Sequence, residues 1–143
     1  MIMGGMEVKK RLKITLWVLG ILAVLIVVIF IFVGNLLNKV TEEMDSLTIN
    51  SKAFEEKLHT VDDGTYVGEY YVKGLLGAKI EITIANNKIS NIVILDHKNG
   101  KGKKAEVIID DIKNAQSLNV DMITGATYSS KFILKATENS LVK

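Results

Sequence analysis

Along this chain the spacing of apolar residues changes period several times, and each change marks a different element. From Ile14 to Gly34 there is no period at all, only 21 residues without a charge, ITLWVLGILAVLIVVIFIFVG. At a helical rise of about 1.5 Å per residue the run reaches roughly 31 Å, enough to cross a bilayer core, and it predicts a transmembrane helix. A cleaved signal peptide is the competing reading. Its apolar region runs about 7–15 residues and ends at a small-x-small site, and this segment has neither property. Further on, Leu37, Val40, Met44 and Leu47 recur at alternating spacings of three and four, which predicts a helical stalk. Asn50 and Ser51 interrupt it before Phe54 and Leu58 form a second i, i+4 pair. The seam is too short for a coiled coil and reads as a solvated spacer.

A period of two takes over near Val61. VDDGTYVGEYYVKG opens on an Asp-Gly turn signal and predicts a strand over 65–73. In KIEITIANNKISNIVIL, Ile80, Ile82 and Ile84 alternate with Glu81 and Thr83, and the run returns through Ile89 to Leu95 after Asn86-Asn87. That is a hairpin, because Asn tolerates the left-handed conformations its turn demands. The helical period then reappears over 103–116, with Ala105, Ile108, Ile109, Ile112 and Ala115 on one face, and again from Ser129 to Leu141. Strands followed by separate helices, without strand-helix alternation, indicate an α+β fold built on a small antiparallel sheet. The chain divides into a basic segment over 1–13, a transmembrane helix over 14–34, a stalk over 35–60 and a folded domain over 61–143.

Charge adds an orientation. Lys9, Lys10, Arg11 and Lys13 crowd the N-terminal flank of the apolar run, whereas the other flank holds Lys39 and then Glu42, Glu43 and Asp45. The positive-inside rule places the N-terminus in the cytoplasm and everything after the single span outside it, in a cell membrane protein. Residues 1–34 hold four basic groups and one acid, which leaves 14 basic and 15 acidic groups beyond them. The exported part is thus near neutral and has no basic field of the kind nucleic acid binding requires. Cysteine is absent, excluding disulfides, a thiolate nucleophile, a Cys-based metal site and a lipidated anchor. His59 and His97 are the only histidines, and neither has a second His at metal spacing.

The stretch with the most chemistry is DMITGATYSS, Asp121 to Ser130. Gly125 and Ala126 remove side-chain bulk, so a ligand can approach the backbone, while Thr124 and Thr127 offer hydroxyls where a helix begins. A helix start favours an anion such as phosphate, but the dipole contributes only about 0.3–1 kcal/mol. A micromolar site with an on-rate near 10⁶ M⁻¹s⁻¹ releases its ligand roughly once per second, so outside the cell a bound cofactor would be lost. A covalent bond removes that problem. Taken by themselves, these residues also read as an ordinary capped helix start.

DxxTGAT closely resembles the flavinylation motif of the FMN-binding domain family, Asp-x-x-(Ser/Thr)-Gly-Ala-Thr. That family includes the FMN-bearing subunits of Na⁺-pumping quinone reductase and of Rnf-type complexes. DGTYVGEY, the hairpin with NNKISNIVIL and the helix ending AQSLNVD resemble the corresponding family elements, so that the resemblance covers roughly 62–142. It implies that a flavin transferase moves FMN from FAD onto Thr127 as a phosphoester. It also implies that Asp121, Gly125 and Ala126 serve transferase recognition and close fit around the phosphate, with Thr124 at the Ser/Thr position. Family members often carry His-x-Glu-Thr-Pro-Gly-x-Gly after the hairpin; this chain reads DHKNGKGKKAE, keeping His97, Gly100 and Gly102 as the outline of a flavin-side loop. Lys101, Lys103 and Lys104 there read as a solvated run or as an attraction for phosphate.

The implied function is an electron-transfer module with covalent FMN, passing electrons from a membrane redox donor to an acceptor outside the cytoplasm. No pocket with paired acid and base groups is identifiable, so the chain does not read as a standalone enzyme. The rival reading is a binding or assembly module that uses the same scaffold without flavin.

Overall fold

The computed structural model describes residues 3–142. They form two compact units, one up to Glu42 and one from Glu43 onward. The first unit is helical throughout and lies within α1, Met3–Ser46. Its apolar side chains are exposed on every face, with Trp17 and Phe30 each 76% accessible. A helix that is apolar all round belongs in an apolar solvent, and this one is long and apolar enough to cross a membrane. The helix continues to Ser46, into the first part of the sequence expected to be a stalk.

In the second unit the last turn of α1 is followed by a short extended link and α2, Ser51–Leu58. Asn50 caps α2, its side-chain oxygen accepting from the Ala53 amide at 3.0 Å. Phe54 and Leu58, expected on a solvated spacer, are fully buried in the folded unit. That unit therefore begins at Glu43, ahead of the boundary expected at 61. The i, i+4 spacing of an apolar pair was a core face here.

Three strands follow: β1 (Gly64–Val72), β2 (Leu76–Ala85) and β3 (Lys88–Lys98). They form an antiparallel meander in the order β1-β2-β3. The β2–β3 hairpin turns on Asn86 and Asn87, at φ +54° and +59°, as two left-handed residues in a tight hairpin require. The Asp63 carboxylate accepts from the Asn86 amide at 2.8 Å and ties the start of β1 to that turn. Ile80, Ile82 and Ile84 of β2 keep the period-two alternation seen in the sequence, and Ile89 and Ile92 of β3, three apart, share their buried face because the pairing shifts register between Thr83 and Ile84.

A single 3-10 turn over Lys103–Val107 leads into α3, Ile108–Ala115. One continuous helix was expected over 103–116. The split follows from the spacing of the buried residues: Ala105 and Ile108, three apart, align in a 3-10 turn, whereas Ile108 and Ile112, four apart, align in an α-helix. Ala115 is exposed, because Gln116 turns left-handed at φ +54° and ends the face. The Gln116 amide then pairs with β3 as a strand would, accepting from the Ile89 amide at 2.7 Å and donating to the Ile89 carbonyl at 3.0 Å.

The last helix, α4 (Thr127–Leu141), covers the apolar face of the sheet with Phe132, Ile133 and Ala136. Its close approach depends on Gly68 in β1. A Cβ there would collide with the Ala136 carbonyl and the Ser140 amide of α4. Glu138, 4% exposed, joins α4 to the start of α2, accepting from the Asn50 amide at 3.0 Å and from the Lys135 ammonium at 2.8 Å. Both carboxylate oxygens thus have a partner, which a buried charge needs.

Candidate cofactor site

α4 begins at Thr127, two residues earlier than the apolar spacing indicated. Just before it, Ile123-Thr124-Gly125-Ala126 forms a turn closed by the Ala126 amide on the Ile123 carbonyl at 2.9 Å. Gly125 is its third residue, at φ +71°, a position that favours glycine. Ser130, fully buried, locks the turn to the helix: its hydroxyl accepts from the Ile123 amide at 3.1 Å and donates to the Ala126 carbonyl at 3.0 Å.

The residue preceding the helix is Ala126, and no side chain caps the first turn. The first helical bond runs from the Ser130 amide to the Ala126 carbonyl at 2.9 Å, so the amides of Thr127, Tyr128 and Ser129 come before it. Such groups need an acceptor from solvent or a ligand. Thr127 is exposed, with its hydroxyl on the same turn as these donors.

Opposite stands the loop after β3, closed by the Gly102 amide on the Asn99 carbonyl at 2.8 Å. Gly102 is buried against the Ser129 hydroxyl, which occupies the space a Cβ would need. Between loop and helix start lies a cleft of about 360 Å³, lined by Asn99, Lys101, Gly102 and Gly125 to Ser129, with Met44, Leu76 and Phe132 supplying apolar surface. The Lys104 ammonium lies 2.8 Å from where a Cβ on Gly125 would stand. Among the described residues Lys104 pairs with no carboxylate. On another edge, Tyr128 donates to the Asp45 carboxylate at 2.5 Å, and that bond to an anion pushes the phenol above its usual range.

Of the residues singled out in the sequence, Gly102, Gly125, Ala126 and Thr127 come together on this cleft. Thr124 is exposed on the turn beside it. Asp121 is exposed and lines a separate depression with Asp111 and Asn119. Gly100 sits at the loop tip at φ +56°, with open space around it. The His97 imidazole is 2% exposed and does not line the cleft; its Nδ1 lies 3.0 Å from Glu106 Oε1, and its Nε2 is buried without a partner. Asn99, Phe132, Leu76 and Met44 carried no signal as site residues, since each reads as loop, core or stalk when only local sequence is considered.

Residues 76–142 match the family model for the FMN-binding domain, the family that the motif around Thr127 resembles. The chain thus combines a segment that matches this family model with a helix long and apolar enough to span a membrane. No curated protein and no solved structure matches the chain.

The cleft fits such a cofactor on three counts. Its volume of about 360 Å³ lies in the range of small-molecule sites. Its helix start offers free amide donors to a phosphate. At Gly125 the Lys104 ammonium takes the space a side chain would need, which sets a positive charge against the bare backbone.

Proposed function

We propose that Thr127 carries FMN through a phosphoester bond and that the domain passes electrons between a membrane donor and an acceptor outside the cytoplasm. The observation that carries this reading is the placement of Thr127: an exposed hydroxyl on the first residue of α4, beside amides that precede the first helical hydrogen bond. An esterified phosphate at that oxygen would meet donors already in place. The flavin, when bound, supplies reversible redox chemistry.

The attachment step is a group transfer. The Thr127 hydroxyl oxygen forms a bond to the FMN phosphorus of FAD, the bond from that phosphorus to the bridging oxygen breaks, AMP leaves, and the hydroxyl proton passes to the flavin transferase that acts on this protein. Gly125 and Ala126 leave the backbone open to the phosphate, and Asp121 and Thr124 on the preceding exposed segment serve recognition by the transferase. Lys101 and Lys104 hold positive charge near the phosphate, while Leu76 and Phe132 offer the ring system an apolar surface.

Localisation follows the same proposal: a single span, the N-terminus in the cytoplasm and the flavin domain outside, supported by the Lys9, Lys10, Arg11 and Lys13 cluster before the span. The test is co-expression with a flavin transferase, followed by fluorescence of the denatured protein band. Wild type should fluoresce and Thr127→Ala should not. A dark wild-type band under conditions that label a known substrate would favour the unflavinylated binding module.

A further inference from the structure

The sequence between the span and the folded domain reads as spacer, yet its residues Glu43–Ser46, the last turn of α1, belong to the compact unit that holds the cofactor cleft. Met44 is 8% exposed and lines the cleft together with Leu76 and Phe132. Two side chains of α4 reach this turn. Tyr128, next to the attachment threonine, donates to Asp45 Oδ1 at 2.5 Å, and Lys131 donates to the Met44 carbonyl at 3.4 Å. That carbonyl is among the last four of α1, which lack partners within the helix, so the lysine supplies one from outside.

We propose that this turn is a positioning element of the flavin site: Met44 gives the flavin ring a polarisable apolar wall, and the Asp45–Tyr128 bond fixes the first turn of α4, where the phosphate is held. The inference rests on the covalent-flavin reading above and extends it to a segment the family match over 76–142 does not include. A purely structural role explains the pieces less well. Asp45 and Tyr128 are both exposed, and an exposed hydrogen bond adds little to stability, yet this one restrains the residue adjoining the attachment oxygen. Methionine also suits a wall against an aromatic ring, because its flexible thioether makes favourable sulfur–ring contacts.

The test uses the full chain, flavinylated by co-expression and purified in detergent, with wild type compared to Met44→Ala, Asp45→Ala and Asp45→Asn. Iodide quenching of flavin fluorescence and the visible circular dichroism of the flavin report the ring's surroundings, and the thermal midpoint is read separately. Met44→Ala and Asp45→Ala should raise the quenching constant severalfold and shrink the flavin dichroism. Asp45→Asn, which still offers an acceptor to Tyr128, should resemble wild type. Quenching and dichroism unchanged in both alanine variants would overturn the proposal, whether or not the midpoint falls. Failure of the underlying reading shows separately, as wild-type protein without flavin on Thr127, and would remove this inference with it.

Discussion

Thr127 unites two properties that helix starts seldom combine: its hydroxyl is exposed, and no side chain occupies the anion position in front of it. A Ser, Thr, Asp or Asn ahead of the helix would satisfy those amides itself, whereas Ala126 leaves them free. Lys104 is the second local determinant. Replacing it by Met should slow flavinylation a few-fold, with Lys104→Arg near wild type, in a time course of label incorporation. That size follows from an exposed charge contribution of roughly 1 kcal/mol or less, where 1.4 kcal/mol is tenfold. Identical rates for all three would remove Lys104 from the site. The Thr-Gly-Ala-Thr pattern made Gly125 and Thr127 legible in the sequence, because few other requirements place a bare left-handed position before a helix. Lys104 was ambiguous there, since its neighbours Lys101 and Lys103 look alike until the loop brings one ammonium to Gly125.

At the level of elements, the site depends on how closely α4 lies on β1. Gly68→Ala should destabilise the domain by about 2–3 kcal/mol in denaturant titration, because the added methyl meets backbone rather than a side chain that can turn away. Stability equal to wild type would mean that α4 can shift at little cost. A second prediction concerns acid. Hydrogen bonds from Ser117 and Ser51 hold the Glu55 carboxyl below its ordinary value, linking α2 to the segment after α3. A carboxylate with a depressed folded-state pKa stabilises fully above its unfolded value, near pH 4.3, and the contribution fades as pH falls through the folded value. Ser117→Ala should therefore be less stable than wild type at pH 7, with the difference shrinking below about pH 4. A constant difference across that range would contradict the assignment. The strands and the Asn86-Asn87 turn were legible because alternation and turn chemistry are local. The role of α2 was not: Phe54 and Leu58 show a helical pair, but only α4 and the sheet reveal that the pair is buried.

For the molecule as a whole, the chain joins one membrane-length apolar helix to a small α+β domain whose residues 76–142 match the FMN-binding family model. The long apolar helix was plain in the sequence, because an uncharged run of this length is a local pattern. The cleft was not, because its walls come from the end of α1, the loop after β3 and the start of α4, segments whose proximity no local pattern encodes. The proposed function requires that flavin stay with the protein outside the cell, and hence that the link be covalent and at one oxygen. Peptide mapping tests this most directly: protein from cells containing a flavin transferase is digested with trypsin, and the fragment from Asn114 to Lys131 is sequenced by tandem mass spectrometry. The expected product carries one FMN, less one water, on Thr127. An unmodified fragment, or flavin on Thr124, Ser129 or Ser130 instead, would contradict it.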